Sequence, residues 1–120
     1  MAVVAVILAA LILPGPVAGR TYAPGVVAAR DYARHRIGAE QFRCLDALWE
    51  RESRWNPLAH NRTSGAHGIP QAFPGVKMAR YGAGWRTDPL VQVKWGLAYV
   101  RSRYGTACRA LDHAYLTGWY

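Results

Sequence analysis

The sequence predicts a single all-α domain. Its 120 residues are 52% apolar and 18% charged, which suits one compact core rather than a disordered chain. Apolar residues recur at three- and four-residue spacings in two long stretches, around Phe42 to Trp49 and Leu90 to Tyr104. No segment alternates with the period of a half-buried strand, and neither an internal repeat nor a low-complexity tract appears after the leader.

The first 19 residues, MAVVAVILAALILPGPVAG, carry no charged side chain. About 13 apolar residues run into Pro14 and Pro16 and end on Val17, Ala18 and Gly19, the shape of a secretory signal peptide, although no Lys or Arg precedes the run. A membrane span needs roughly 20 apolar residues, and the prolines come too early for that. The expected division is therefore a signal peptide over 1–19, an extended lead and first helix over 20–38, and the domain that carries the chemistry over 39–120.

Within the mature chain a first helix is expected from Val26 to Gly38, its Arg30, Arg34 and Arg36 solvated. A second should run from about Ala39 to Ser53, and Pro57 forbids its continuation. From Trp55 to Gly75 the density of Asn, Ser, Gly and Pro reads as an ordered loop, long enough to suggest function. A short helix at about Val76 to Tyr81 ends at Gly82. Asp88 and Pro89 then form a helix start, and Leu90, Val93, Leu97, Val100 and Tyr104 lay one apolar stripe while Gln92, Lys94, Arg101 and Arg103 fall outside it. Gly105 stops that helix, and Ala107 to Leu116 forms the last.

Fifteen basic against seven acidic side chains give 15 − 7 = +8, and the leader contributes none of them. That charge points to anionic polymers of a cell envelope or to anionic lipid headgroups, or serves solubility alone. Nucleic acid is not the expected partner, because the arginines are spread over several elements and the leader argues for export. The only cysteines, Cys44 and Cys108, read as a disulfide in an exported chain. A closed loop of about 65 residues is worth roughly 4 kcal/mol in the chain-entropy model. The four histidines show no zinc-ligand spacing, so no metal is expected.

Two glutamates in CLDALWERESRWNP separate on a helical wheel. Phe42, Leu45, Leu48 and Trp49 cluster within an arc of about 120°, and Glu52 falls inside it. Glu50 lies opposite, beside Arg43 and Asp46. A carboxyl that prolongs an apolar stripe loses water, which raises its pKa and suits it to general-acid work. Position alone leaves a second reading open, in which Glu52 snorkels to solvent or pairs with an arginine. The following loop is rich in Trp55, His60, Asn61, Ser64, His67 and Gln71. Those side chains can stack on and hydrogen-bond a polar ring, or can be a core aromatic and turn formers.

The stretch ESRWNPLAHNRTSGAHGIPQ, Glu52 to Gln71, resembles the signature of the SLT-type (soluble lytic) transglycosylases of the lysozyme-like superfamily, and the chain looks most similar to their short secreted actinobacterial members. In that family Glu-Ser at a helix end is followed by an aromatic, Asn-Pro-x-Ala, and Asn-x-x-Ser-Gly-Ala-x-Gly-Leu-x-Gln. The resemblance implies a single helical domain of the goose-type lysozyme and SLT kind, with a long substrate loop. It implies Glu52 as catalytic acid, with Ser53 orienting it and the N-acetyl group of the sugar. Gly68, Ile69 and Gln71 would line the saccharide groove, and Trp55, Asn61 and Ser64 would bind substrate. Pro70 stands where the family often has Met. The family's Ala-Tyr-Asn-x-Gly has only an echo in Ala114-Tyr115-Leu116-Thr117-Gly118, so Tyr115 is a weaker match and Tyr99 or Tyr104 could equally offer a hydroxyl. The implied activity is a secreted, wall-associated, monomeric enzyme that cleaves the β-1,4 bond of peptidoglycan glycan strands to 1,6-anhydromuramoyl ends, without cofactor. A muramidase, or a wall-binding or signalling module without turnover, is the alternative on the same scaffold.

Overall fold

A computed structural model describes residues 20–120; the leader expected over 1–19 lies outside them. Every regular element among the described residues is helical: α1 (Pro24–Ser53), a 3-10 helix η1 (Gly75–Tyr81), α2 (Pro89–Tyr104) and α3 (Ala107–Thr117). The expected all-α class is what the chain adopts. Extended pairing is confined to two isolated antiparallel bridges in the loop, His60 with His67 and His67 with Ala72.

The two helices expected before Pro57 are one bonded element with a break in direction. Gly38 sits at φ 83° and ψ 162°, far outside helical values, in a region that costs glycine little because it has no Cβ. Pro24 occupies the first turn, where a missing N–H breaks no intrahelical bond, so the helix starts two residues before the expected Val26. Val26, Ala29 and Ala33 of the first arm are buried in the same core as Phe42, Leu45, Leu48 and Trp49 of the second. One core cluster therefore runs across the division expected between residues 38 and 39.

α2 and α3 complete that core with Val93 and Val100, and with Ala107, Ala110 and Ala114. Small residues let the helices approach closely. A Cβ on Gly96 would stand 2.5 Å from the Trp49 ring, so glycine is what allows α2 to rest on that indole. The alanines of α3 do the same for α1, and Cys44 is bonded to Cys108 with their Cα atoms 4.9 Å apart. Asp88 caps α2, its carboxylate accepting from the Leu90 and Val91 N–H groups, and Thr106 caps α3 by accepting from Arg109.

Two expectations about polar side chains fail. Arg30 is not simply solvated: its guanidinium lies 4.3 Å from the Tyr22 ring centre and 4.6 Å from that of Trp55, and it grips Asp46 with contacts of 2.6 and 3.2 Å. Planar guanidinium suits that combined stacking and forked bonding. Gln92, placed outside the apolar stripe of α2, is fully buried. Its Oε1 accepts from Ile69 N–H at 2.9 Å, and its Nε2 donates to the Pro57 and Trp85 carbonyls at 2.9 and 2.8 Å. A fully bonded amide can replace an apolar residue here because three loop strands bring it their otherwise unpaired backbone groups.

Candidate active site

The end of α1 decides where the two glutamates point. Glu50 stays on the wet side, paired with Arg20 and within 3.4 Å of the Tyr22 hydroxyl. Glu52 turns toward the core and is half-buried. Burial raises its pKa above the ordinary 4.5, and the positive charge of neighbouring Arg51 opposes that only in part. No other carboxylate contributes to the shift. Asp46 is held by Arg30, Glu50 by Arg20, and Asp88 by the start of α2.

After Ser53 the chain leaves the helix through two consecutive non-glycine residues in the left-handed region, Arg54 at φ 57° and Trp55 at φ 58°. Such conformations cost free energy and persist where packing enforces them. The payload here is Trp55, which folds back beneath α1. It meets Trp49 edge to face at 5.2 Å and 75°, and its Nε1 donates to Asp46 at 2.9 Å. With 1% of its surface exposed, Trp55 is a core residue and cannot stack on a sugar, which corrects the expectation of a substrate contact.

The other loop residues divide by what their polar atoms already bond. Ser53 Oγ donates to the Ile69 carbonyl at 2.7 Å, tying helix end to loop, so toward a ligand it can only accept. Gln71, itself at φ 54°, spends its amide hydrogens on the Ala59 and Gly68 carbonyls and keeps Oε1 free. Gly68 is at φ 77°, and a Cβ there would sit 2.6 Å from the Gln92 amide, so both conformation and space demand glycine. Ile69 is wholly buried, leaving a side chain that packs and a backbone that is bonded at both N–H and C=O. Asn61 Oδ1 accepts from Thr63 and Ser64 N–H groups, and Ser64 Oγ accepts from Ala66. These two act as turn formers in the exposed tip through their oxygens, so toward a ligand they can offer the Asn61 amide and the Ser64 hydroxyl as donors. His60 and His67 meet at 3.1 Å between their Nδ1 atoms, and His67 Nε2 reaches the Arg86 carbonyl at 2.8 Å.

One residue that feels the Glu52 charge lies beyond the last helix. Tyr120 places its hydroxyl between two buried groups, accepting from Trp49 Nε1 at 2.9 Å and donating to the Pro70 carbonyl at 2.5 Å. Its pKa lies well above the ordinary 10.0, through burial first and the charge of Glu52 second. The effect runs one way, because Tyr120 is still a neutral phenol when Glu52 titrates.

Tyr120 also leads to an aromatic wall on α2. Tyr99 meets it edge to face at 5.7 Å, and Trp95 stacks on Tyr99 at 5.0 Å and 13°. Burial, then the adjacent Tyr104, raises the Tyr99 pKa, keeping that phenol neutral and able to donate. Tyr99 thus packs against Tyr120, the phenol that feels the Glu52 charge. Trp95 was missed, yet an aromatic pair spaced by four on a helix and set off its apolar stripe is a readable signal. Tyr115, by contrast, is 63% exposed, its ring 5.4 Å from the Arg51 guanidinium and not on this wall.

Comparison with protein-family models, curated proteins and solved structures returns no match for this chain. Two further facts bear on its setting. The cysteines are paired, and among the described residues no helix is long and apolar enough to cross a membrane.

Proposed function

We propose that the chain is an exported peptidoglycan-cleaving enzyme, a lytic transglycosylase in which Glu52 is the single acid and base. The observation that carries this reading is the half-buried Glu52 carboxyl, raised by desolvation, whose charge is felt by the buried Tyr120 phenol that packs on Tyr99. An acid whose proton is retained to higher pH by burial suits work on a sugar polymer as a proton donor to a glycosidic oxygen, and the Trp95 and Tyr99 rings on α2 offer flat apolar faces for sugar rings. Glycosidases that work through two carboxylates need a second one across the bond. Among the described residues the remaining carboxylates are paired, capping or exposed, which favours a route that needs one.

In that route Glu52 gives its proton to the oxygen of the β-1,4 bond after N-acetylmuramic acid, while the substrate's acetamido group assists departure. The resulting carboxylate then takes the proton of that sugar's 6-hydroxyl, whose oxygen closes the 1,6-anhydro ring and restores the acid. Free Oε1 of Gln71 and the acceptor face of Ser53 are suited to substrate hydroxyl and amide donors.

The test is digestion of purified peptidoglycan followed by mass spectrometry of the fragments. Anhydro products, one water lighter than hydrolysis products, are expected, and Glu52→Gln should lower their rate by roughly a hundredfold to ten-thousandfold. Reducing ends would replace the transglycosylase with a muramidase using the same acid. A wall-binding module without turnover is the second reading, favoured by Leu116, which stands where the family carries Asn and is 86% exposed. Co-sedimentation with cell walls unaffected by Glu52→Gln, and no soluble product from the parent, would select it.

A further inference from the structure

α2 divides its surface three ways. Gln92, Val93, Gly96 and Val100 face the core, Trp95 and Tyr99 form the flank that meets Tyr120, and Lys94, Leu97 and Arg101 form the opposite flank. That last flank borders a half-open cavity of about 880 Å³, walled also by the first arm of α1, Tyr81 of η1 and the start of α3. It lies near Gln41, eleven residues before Glu52 on α1, or about 16 Å along the helix at 1.5 Å per residue. The cavity is thus distinct from the candidate active site.

Its lining is chemically one-sided. Arg36, Lys94 and Arg101 supply three cations, and no Asp or Glu lines it. Beneath them Ile37 and Leu97 give an aliphatic floor, and Tyr32 holds its ring 5.5 Å from the Lys94 ammonium. Three cations with no countercharge repel one another and favour an anion between them. A phosphate monoester carries about −1.5 to −2 at neutral pH and several strong acceptors, a better match than a single carboxylate. The volume falls in the range of small-molecule sites, roughly 300–1,000 Å³, and far exceeds what a bare phosphate fills. The apolar floor asks for an apolar body on the same ligand.

We propose that this cavity is a second binding site, for an amphiphilic phosphate whose headgroup meets Arg36, Lys94 and Arg101 and whose hydrocarbon body lies on Ile37 and Leu97. It is independent of the proposed glycan cleavage. The test is isothermal titration of the chain with dodecyl phosphate held below its micelle concentration, with glycerol phosphate and dodecanoate as comparators. Dodecyl phosphate should bind one to one and at least about tenfold more tightly than either, since the former lacks the body and the latter the second charge. Lys94→Gln with Arg101→Gln should weaken it by about tenfold or more, whereas Lys77→Gln with Arg80→Gln on η1, an equal loss of charge, should change it by less than about twofold. Circular dichroism must show both variants folded, and Ala98→Glu, which sets a carboxylate in the cavity wall, provides an independent block. Equal weakening in the two charge variants, or glycerol phosphate or dodecanoate binding as tightly as dodecyl phosphate, would overturn the proposal.

Discussion

Removing one oxygen from Tyr120 should destabilise the whole domain. The hydroxyl accepts from Trp49 Nε1 and donates to the Pro70 carbonyl, and both of those residues are fully buried. Tyr120→Phe keeps the ring and its contacts with Tyr99 and Tyr104 but leaves one donor and one acceptor without a partner. Each buried orphan costs about 1–3 kcal/mol, so a loss of about 2–4 kcal/mol is expected after partial relaxation. In a domain of about 100 residues that lowers Tm by roughly 8 to 25 °C. Urea unfolding at unchanged slope measures it, with Tyr115→Phe, on an exposed ring, as a control expected within about 0.5 kcal/mol of the parent. A loss below about 0.5 kcal/mol for Tyr120→Phe would refute the bridging role of its hydroxyl.

Other substitutions probe the rest of the molecule. Because the folded pKa of Glu52 is raised, the native state keeps a proton that the unfolded chain has released, and stability falls as pH rises from about 4.5 through the folded value. Glu52→Gln removes that fall, so by thermal melts the variant should gain on the parent from acid to neutral pH, and a parallel pair of curves would sink the assignment. Catalysis by the protonated acid should decline along the same rise, its falling limb shifted upward from that of an unperturbed glutamic acid. Gln92→Leu strands the Ile69 N–H and the Pro57 and Trp85 carbonyls, and should cost at least about 3 kcal/mol in urea unfolding while exposing the 55–75 loop to proteolysis. Trp55→Ala should cost about 3–5 kcal/mol as a core deletion, whereas a surface sugar platform would lose binding with little change in stability. Replacing Cys44 and Cys108 together by Ala should cost about 2–4 kcal/mol, read as the Tm difference that reductant produces in the parent.

The helical fold and the separation of Glu50 from Glu52 were legible in the sequence for one reason. Both depend on the 3.6-residue period, a local property that places Phe42, Leu45, Leu48, Trp49 and Glu52 on one side whatever they pack against. Several helix boundaries followed equally local chemistry: Pro89 at a start, Asp88 as a cap, Gly38 at the break and Gly105 at an end, while Pro24, read as extended lead, opens α1.

What the period could not reach was any residue whose environment is supplied by a distant segment. The sequence left Trp55 open between core aromatic and sugar platform, and Asn61 and Ser64 between turn formers and ligand contacts, because nothing local foretells two left-handed residues returning Trp55 under α1 or which N–H groups the loop oxygens meet. Gln92 looked exposed because its three backbone partners arrive from Pro57, Ile69 and Trp85. Tyr120 lies 71 residues from the indole it accepts from and 50 from the carbonyl it bonds. The sequence by itself determined the helices, their apolar faces and the acid on one of them. Only the tertiary structure decided which polar atoms remain free around that acid, because hydrogen-bond partners are settled by where separate segments meet.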